Sequence, residues 1–348
     1  MDYTKQYINN SVIIEDKKKE VCVVSEQTFS SLSSLTTYKK VVDISKHHKI
    51  YGLTQNDYNE VLEKIKKQNC FLEYNYIYDK ISGTQIPLKD LVISANHNPN
   101  RYHALIQNRI NTLSNVAKEK NLSPLFMTLT LPSEFHKMKI DKKTKTLIPN
   151  PKYNHVTPKE AVKHLTKIFS RLRHDRSLKE LTKDERIYFR VNEPHKNGTP
   201  HTHVLLFVPK SSIDRVVTAF KRLFDNKAND IQTNIENATS YIMKYINKTL
   251  PLSKKENLSK KDKYLNAWYC KHRIIRFNCS RTLAPLSLYR LLHEKFNLKE
   301  LTSLVKKKSL AIFVLQTNRN KIMEIFFGDE LIYQRSKNYT LKNGLLDF

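Results

Sequence analysis

The sequence predicts an α+β fold built on an antiparallel sheet, and three observations carry that reading. Between residues 125 and 249, β-rich runs and amphipathic stretches follow the order β-α-β-β-α-β, with one helix added after it. The two middle strands flank Asn197-Gly198, a hairpin signal in a loop longer than two residues. No apolar run approaches the roughly 18 residues of a membrane span. The order is that of a split βαβ unit, a ferredoxin- or RRM-like sheet. Helices are expected on one of its faces, with a helical N-terminal extension and a mixed C-terminal one.

Each element has a local justification. Residues 1–50 show no clear period. Residues 54–68 place Tyr58, Val61, Leu62 and Ile65 at helical spacing behind Thr54 as N-cap. Pro99 to Asn121 reads as a helix, and LFMTLTL (125–131) as a strand stopped by Pro132. A Lys-rich loop (137–154) follows. Pro158 then opens a helix with Ala161, Leu165, Ile168, Phe169 and Leu172 on its apolar stripe. RIYFRVNE (186–193) and HVLLFV (203–208) are strands, 212–224 a helix, 230–235 a short strand and 237–249 a helix. Residues 251–263 read as an exposed linker, Pro285 to Phe296 as a helix and 309–335 as a strand meander. Domain boundaries are expected near 95 and 250: an accessory region (1–94), a central domain (95–250) and a second accessory region (251–348).

Charge narrows the function. The 348 residues hold 61 Lys+Arg against 33 Asp+Glu, a net +28. A small acidic metabolite does not require so much positive charge, whereas a polyanion does, because each neutralised phosphate releases counterions. A codon-driven Lys bias would inflate Lys but explains the shortage of acids less well. The five glycines (52, 83, 198, 328, 344) allow neither a P-loop nor a G-x-G-x-x-G, so any motor must be another protein. Cys22, Cys70, Cys270 and Cys279 form no C-x-x-C pair, which argues against a zinc ribbon and a disulfide framework. The first residues lack the apolar stretch of a signal peptide, and a reducing cytoplasm is expected.

Two motifs carry chemistry. In His201-Thr202-His203, at the start of an apolar strand, residues i and i+2 point the same way, so both imidazoles face one side of the sheet. The plain alternative is a pair of solvent-facing histidines at a strand end. Glu193 ends the preceding strand; if 194–200 closes a hairpin, it lies beside His201 across the ladder. Two nitrogens and one carboxylate with open positions suit Mg²⁺ or Mn²⁺. His195 is a reserve ligand or, with Lys196, a DNA contact of the loop.

The second motif is Tyr241-Ile-Met-Lys244-Tyr245-Ile-Asn-Lys248. On a helix both tyrosines fall on one face with the two lysines beside them. An amphipathic helix with tyrosines at its boundary has the same pattern. The functional reading is nucleophilic: a phenol oxygen attacks a DNA phosphodiester and becomes linked to the 5′ phosphate. Because free tyrosine has a pKa near 10, the phenol needs activation, which nearby ammonium groups and a metal at the phosphate supply.

Five segments bear a family likeness: SANHNPNRYHALIQNRINTL (94–113), LFMTLTLPSEFH (125–136), NPKYN (150–154), FRVNEPHKNGTPHTHVLLFV (189–208) and YIMKYINK (241–248). LNAWYCKHRIIRF (265–277) is a weaker sixth. In this order they resemble the HUH endonucleases, and within them the phage replication gene A protein family. The resemblance implies rolling-circle initiation: nicking of one strand at a specific site, covalent tyrosine–5′-phosphate attachment, and rejoining after a round. It matches His201 and His203 to metal histidines, Tyr241 and Tyr245 to the nucleophiles, and Glu193 to the acidic third ligand. Thr202 departs from the aromatic residue often found between the histidines.

Further contacts to DNA are expected from Thr128 and Thr130, which share a strand face with Phe126, and from the basic loop 137–145. Lys271, Arg273 and Arg276 lie among Trp268, Tyr269 and Phe277, a pattern that fits base stacking, although Trp268 fits a core position better. The expected partners are single-stranded origin DNA, a separate host helicase and a single-strand-binding protein, in a bacterial cytoplasm. A transposase or relaxase of the same chemistry, a non-catalytic nucleic-acid-binding protein and a small-molecule metal hydrolase are the competing readings.

Overall fold

The computed structural model describes residues 49–141, 143, 144, 146–251, 257–315, 321–335 and 339–344. The irregular reading of residues 1–48 therefore lies outside the described residues. Eight helices of seven or more residues are described: α1 (Gln55–Tyr74), α2 (Pro99–Glu119), α3 (Pro158–His174), α4 (Ile213–Leu223), α5 (Ala238–Thr249), α6 (Lys260–His272), α7 (Leu286–Leu292) and α8 (Leu298–Lys306). The main sheet has five strands: β1 (Leu122–Thr130), β2 (Ile187–Pro194), β3 (Pro200–Pro209), β4 (Asp230–Gln232) and β5 (Phe277–Cys279). Their order is β4-β1-β3-β2-β5 and every pairing is antiparallel, so the fold is α+β.

Helix starts follow from capping. Thr54 with Asp57, Thr157 with Glu160 and Ser259 with Asp262 each form a reciprocal capping box, satisfying amides that lack a partner in the first turn. The last of these corrects the linker expected over 251–263. Residues 252–256 lie outside the described residues, but Lys260–Lys263 already belong to α6. The helix expected from Pro285 to Phe296 is present but ends at Leu292, and a further helix, α8, follows it, started by a capping box of Asn297 with Glu300. The meander is present as Leu310–Leu315, Lys321–Phe327 and Glu330–Gln334. Within 137–154, Met138–Ile140 pairs with Leu147–Pro149. Strand Asn75–Asp79 pairs on one side with Gln85–Pro87 and on the other with Tyr339–Asn343, joining the two extensions.

Helices cover both faces of the main sheet, not one. Leu125, Met127 and Leu129 of β1 and Val204, Leu206 and Val208 of β3 meet α3 and α4 through Leu165, Phe169, Val216 and Phe220. The alternate residues Phe126, Phe189, Val191, Leu205 and Phe207 meet α2 and α5 through Ile110, Leu113, Ile242 and Ile246. The reason is legible in β3, which is buried at every position but its last. A strand apolar on both sides needs a layer on each side.

A third cluster fastens α6 to α1 and to the hairpin loop between β2 and β3. Trp268, fully buried, packs with Tyr51, Leu53 and Tyr264, and its indole N–H donates to the Gly198 carbonyl at 3.0 Å. Gly198 has φ +89°, and a Cβ there would lie 2.3 Å from the Tyr51 carbonyl oxygen. Gly198→Ala is therefore expected to cost about 2–4 kcal/mol from backbone strain and collision. Gly83→Ala, at φ +71° with open space around it, is expected to cost only about 1 kcal/mol. Urea titrations of both variants check this; equal losses would contradict the close packing at Gly198.

Candidate active site

The site lies at one end of the sheet face that α2 and α5 cover. In the β2–β3 ladder Glu193 is the direct partner of His201, and Val191 of His203. On the other side of β3, Thr130 faces His201 and Thr128 faces His203. Period-two alternation therefore brings both imidazoles and the carboxylate onto one face, as the sequence predicts. The ligand atoms of Glu193, His201 and His203 lie within 4.8 Å of one another and all three residues are buried. The two Nε2 atoms are 3.0 Å apart, and Glu193 Oε2 lies 3.7 Å from His201 Nε2 and 3.8 Å from His203 Nε2.

Neighbouring groups fix this arrangement. Thr128 Oγ1 stands 3.1 Å from His203 Nδ1. The neutral tautomer with its hydrogen on Nδ1 satisfies that contact and leaves the Nε2 lone pair facing the cluster. Thr128 thus orients a histidine, which replaces the expected DNA contact with a positioning contact. The Thr130 amide is bound to Asn229 Oδ1 at 2.7 Å. Lys248 donates to Glu193 Oε2 at 2.5 Å.

Burial dominates the electrostatics. It pushes the Glu193 carboxyl up, against the opposing pull of Lys248. It pushes His203 down to about 3 and His201 well below the ordinary histidine value, and in both the neighbouring positive groups add to the effect. His195, burial first and then His136 and Lys248, falls to about 4. The imidazoles are thus neutral, which is the ligating form. Glu193 Oε1 and His201 Nδ1 are buried without a hydrogen-bond partner. Two neutral imidazoles and a carboxylate with a spare oxygen fit a divalent cation. His195 stands outside this triplet; its ring stacks on His201 with centroids 4.1 Å apart.

Helix α5 lays the tyrosines against the cluster. The Tyr245 ring lies 3.9 Å from that of His203, and Tyr241 lies 5.9 Å from Tyr245. Phe126 stacks with His203 and Tyr245 at 5.5 and 5.2 Å and takes Tyr241 edge-on at 4.5 Å. The Tyr241 hydroxyl donates to Gln232 Oε1 on β4 at 3.0 Å. Burial first, then Tyr241 and the carboxylates Glu193 and Asp230, hold the Tyr245 phenol well above its ordinary value. The Lys244 ammonium lies 6.0 Å over the Tyr245 ring. The sequence names Phe126 only as a strand-face neighbour of the threonines and does not name Gln232; its place on the edge strand opposite Phe126 emerges with the sheet.

The remaining expectations divide. Lys196 and Arg273 are exposed. Arg276 is a correction. It is buried, with its guanidinium donating to the Thr249 carbonyl and to Asn266 and lying 3.9 Å from the Tyr269 ring centroid, so it closes the C-terminal end of α5 rather than meeting DNA. Lys271 is paired with Asp57 at 3.0 Å and Glu60 at 2.5 Å, tying α6 to α1, a structural use of its charge. Trp268, Tyr269 and Phe277 are buried and offer no ring for base stacking.

The depressed histidines have a consequence for stability. In the unfolded chain they take up protons near pH 6.5, whereas in the folded chain His195 and His203 do so only near 4 and 3 and His201 also far below 6.5. Their contribution is whole above pH 6.5 and is lost as the pH falls below it. Glu193, with its raised pKa, opposes this in the acid range. In metal-free buffer, unfolding free energy is expected to drop between pH 6 and 4.5 with a slope of about two protons, roughly 3 kcal/mol per pH unit. The His201→Ala, His203→Ala double variant should nearly flatten it. An unchanged slope in that variant, measured by urea titration, would contradict the assignment.

Comparison with known proteins places this geometry in a family. A family model described as bacteriophage replication gene A protein (GPA) matches residues 35–252. The replication protein of Haemophilus phage HP1 (strain HP1c1) is 32% identical over 184 residues, 48% of this chain and 22% of that protein. The replication gene A protein of Escherichia phage 186 is 28% identical over 227 residues, 60% of this chain and 31% of that protein. A probable replication endonuclease from prophage-like region 1 of Salmonella typhi is 26% identical over 248 residues, 63% of this chain and 30% of that protein. The chain thus spans less than a third of the length of these curated relatives. No solved structure matches. The family match covers well over half of the chain and contains Glu193, His201, His203, Tyr241 and Tyr245. The chain belongs to the bacteriophage replication gene A protein family.

Proposed function

We propose that the chain carries the nicking and joining chemistry of rolling-circle replication, as a site-specific endonuclease and strand transferase acting on single-stranded DNA at a phage or plasmid origin. The observation that carries this reading is the packing of Tyr245 against His203 of a buried Glu193–His201–His203 triplet, with Tyr241 beside it one helical turn away. The strand order β4-β1-β3-β2 supports an HUH endonuclease core of ferredoxin-like plan. On this reading residues 95–250 are the endonuclease domain, with accessory regions on either side. Relatives named replication endonucleases support the same class.

In the first step a phenol oxygen of Tyr241 or Tyr245 attacks phosphorus. The O–P bond to tyrosine forms, the P–O3′ bond breaks, and the net step moves one proton from the phenol to the departing 3′ oxygen. The 5′ phosphate is then held as a phosphotyrosine diester. Burial disfavours a free phenolate at Tyr245, so positive charge must arrive with the phosphate. Lys244 and Lys248 border this place. Mg²⁺ or Mn²⁺ held by His201, His203 and Glu193 would supply charge neutralisation at the phosphate. The second tyrosine provides the second attacking oxygen that ends a round while the first 5′ end is still attached. His195, Lys196 and Arg273 are the proposed DNA contacts around the centre. A host helicase unwinds the duplex and single-strand-binding protein covers the displaced strand, in the cytoplasm of a bacterial host.

Two expectations follow from this chemistry. The His201→Ala, His203→Ala variant should lose at least about 100-fold in Mn²⁺-dependent cleavage of labelled origin DNA, with DNA affinity changed less than about threefold because affinity rests on dispersed cations. Normal cleavage by this variant would overturn the metal assignment. Tyr241→Phe and Tyr245→Phe should each retain some single-strand cleavage but fail in strand transfer, and the double variant should form no covalent adduct on a denaturing gel. An adduct mapped by mass spectrometry to neither tyrosine would end the proposal.

A further inference from the structure

The opposite face of the main sheet holds a second basic site. Tyr188 and Arg190 of β2 alternate with Phe189, Val191 and Glu193, so they point away from the metal triplet and toward α3. There a cavity of about 730 Å³ opens between the C-terminal end of α3, β2 and the segment after β5. Six cations line it: Arg173, Lys179, Lys183, Arg186, Arg190 and Arg281. No carboxylate does.

The missing counter-charge is the informative feature. Arg190 is only 7% exposed, its Nε is buried without a partner, and its guanidinium meets just the Phe169 ring at 5.0 Å. Arg173 Nε is likewise buried and unpartnered. The Arg173 guanidinium lies over the Phe169 and Tyr188 rings at 5.8 and 5.9 Å, and Arg186 donates to the carbonyls of Arg173 and Leu178. The nearby acids are all engaged elsewhere: Asp175 with Arg222, Glu180 with Arg215, Asp184 with Lys306 and Lys120, and Glu185 with Thr182. Among the described residues none of the six cations has an ion-pair partner. Burying a guanidinium without a counter-charge is unfavourable, and an anion entering the cavity relieves that cost.

We infer that this cavity is a second DNA site, gripping backbone phosphates of a strand segment other than the one being cut. A diester phosphate fits because planar guanidinium groups bind its oxygens in pairs, and a row of cations on the rim can follow consecutive phosphates. The cavity is also within a family of replication proteins and in a chain of net +28, so the polyanion at hand is DNA. Because cutting and gripping occupy opposite faces, the chain can hold one part of a DNA molecule while another part is nicked.

The test measures binding without cleavage, so it stands apart from the tyrosine and metal reading. Full-length protein carrying Tyr241→Phe and Tyr245→Phe is titrated in EDTA with a fluorescein-labelled 40-nucleotide single strand at several NaCl concentrations. Lys179, Lys183 and Arg281 are exposed, so their triple replacement by Ala leaves the core intact. It should weaken binding roughly 10-fold near physiological salt and lower the slope of log K against log[NaCl] by about 1–2. A control that replaces the exposed Lys64, Lys66 and Lys67 of α1 by Ala removes the same charge. It should change the slope by less than about 0.5. Arg190→Met, which replaces the guanidinium over the Phe169 ring with an uncharged chain of similar length, should also weaken binding. Equal losses in the triple variant and the control would reduce the effect to general charge and overturn the proposal. So would a cavity that takes inorganic phosphate, seen as a thermal shift the triple variant lacks, with an unchanged DNA slope.

Discussion

The register of one β-hairpin governs the rest of the site. Glu193 lies opposite His201 only in the pairing that the β2–β3 ladder adopts; a shift of one residue would turn the carboxylate to the other face. The pairing is fixed from outside the ladder. Thr202 donates to Asn192 at 2.7 Å, Asn192 Nδ2 donates to the Ile275 carbonyl, and the Tyr269 hydroxyl donates to the Asn192 carbonyl. The Trp268 indole holds the loop at Gly198. Helix α6, outside the five-stranded sheet, is thus what keeps Glu193, His201 and His203 in phase.

Packing does the next part of the work. Phe126 is a shared floor for His203, Tyr241 and Tyr245, so the Glu–His–His cluster and the tyrosine pair rest on one ring. Such a stack tolerates small shifts of α5 while keeping the phenols near the imidazoles. The buried carboxylate of Glu193 is the only acid in the triplet, and the Lys248 ammonium compensates it in the absence of a cation. A buried negative charge without that partner would be expensive.

Much of this was legible in the sequence, and what was not has physical reasons. Strand alternation suffices to place His201 and His203 together, and a hairpin loop suffices to bring Glu193 to them. Helical spacing puts Tyr241 and Tyr245 on one face. These are local rules acting within one or two elements. The burial of Arg276 and the pairing of Lys271 depend on where α6 packs, which no local period states. Basic residues among aromatics read equally well as a DNA surface and as a cation packed on a ring, and here Tyr269 takes Arg276. The unbroken apolar run of β3 hints at a second helical layer, but that layer comes from α2, which precedes β1, and α5, which follows β4, rather than from the two helices between the strands of the β-α-β-β-α-β unit. The cavity behind β2 has no sequence signature: five of its cations fall between residues 173 and 190, but on a helix end, a connection and a strand that no single period relates, and Arg281 joins them only in the fold.

The small sheet that joins the two extensions has a kinetic side. Asn75–Asp79 sits between Gln85–Pro87 and Tyr339–Asn343, and its second pairing links residues 260 or more positions apart. Closing so long a loop is entropically costly and slow. Until then Asn75–Asp79 presents an open edge next to the exposed Phe71 and Tyr74 of α1. The main sheet, whose strands all lie between residues 122 and 279, has no such wait. Assembly of this chain is therefore expected to run from the main sheet outward, with the joined extensions sealing last and giving the stage at which partly folded chains are most prone to associate with one another.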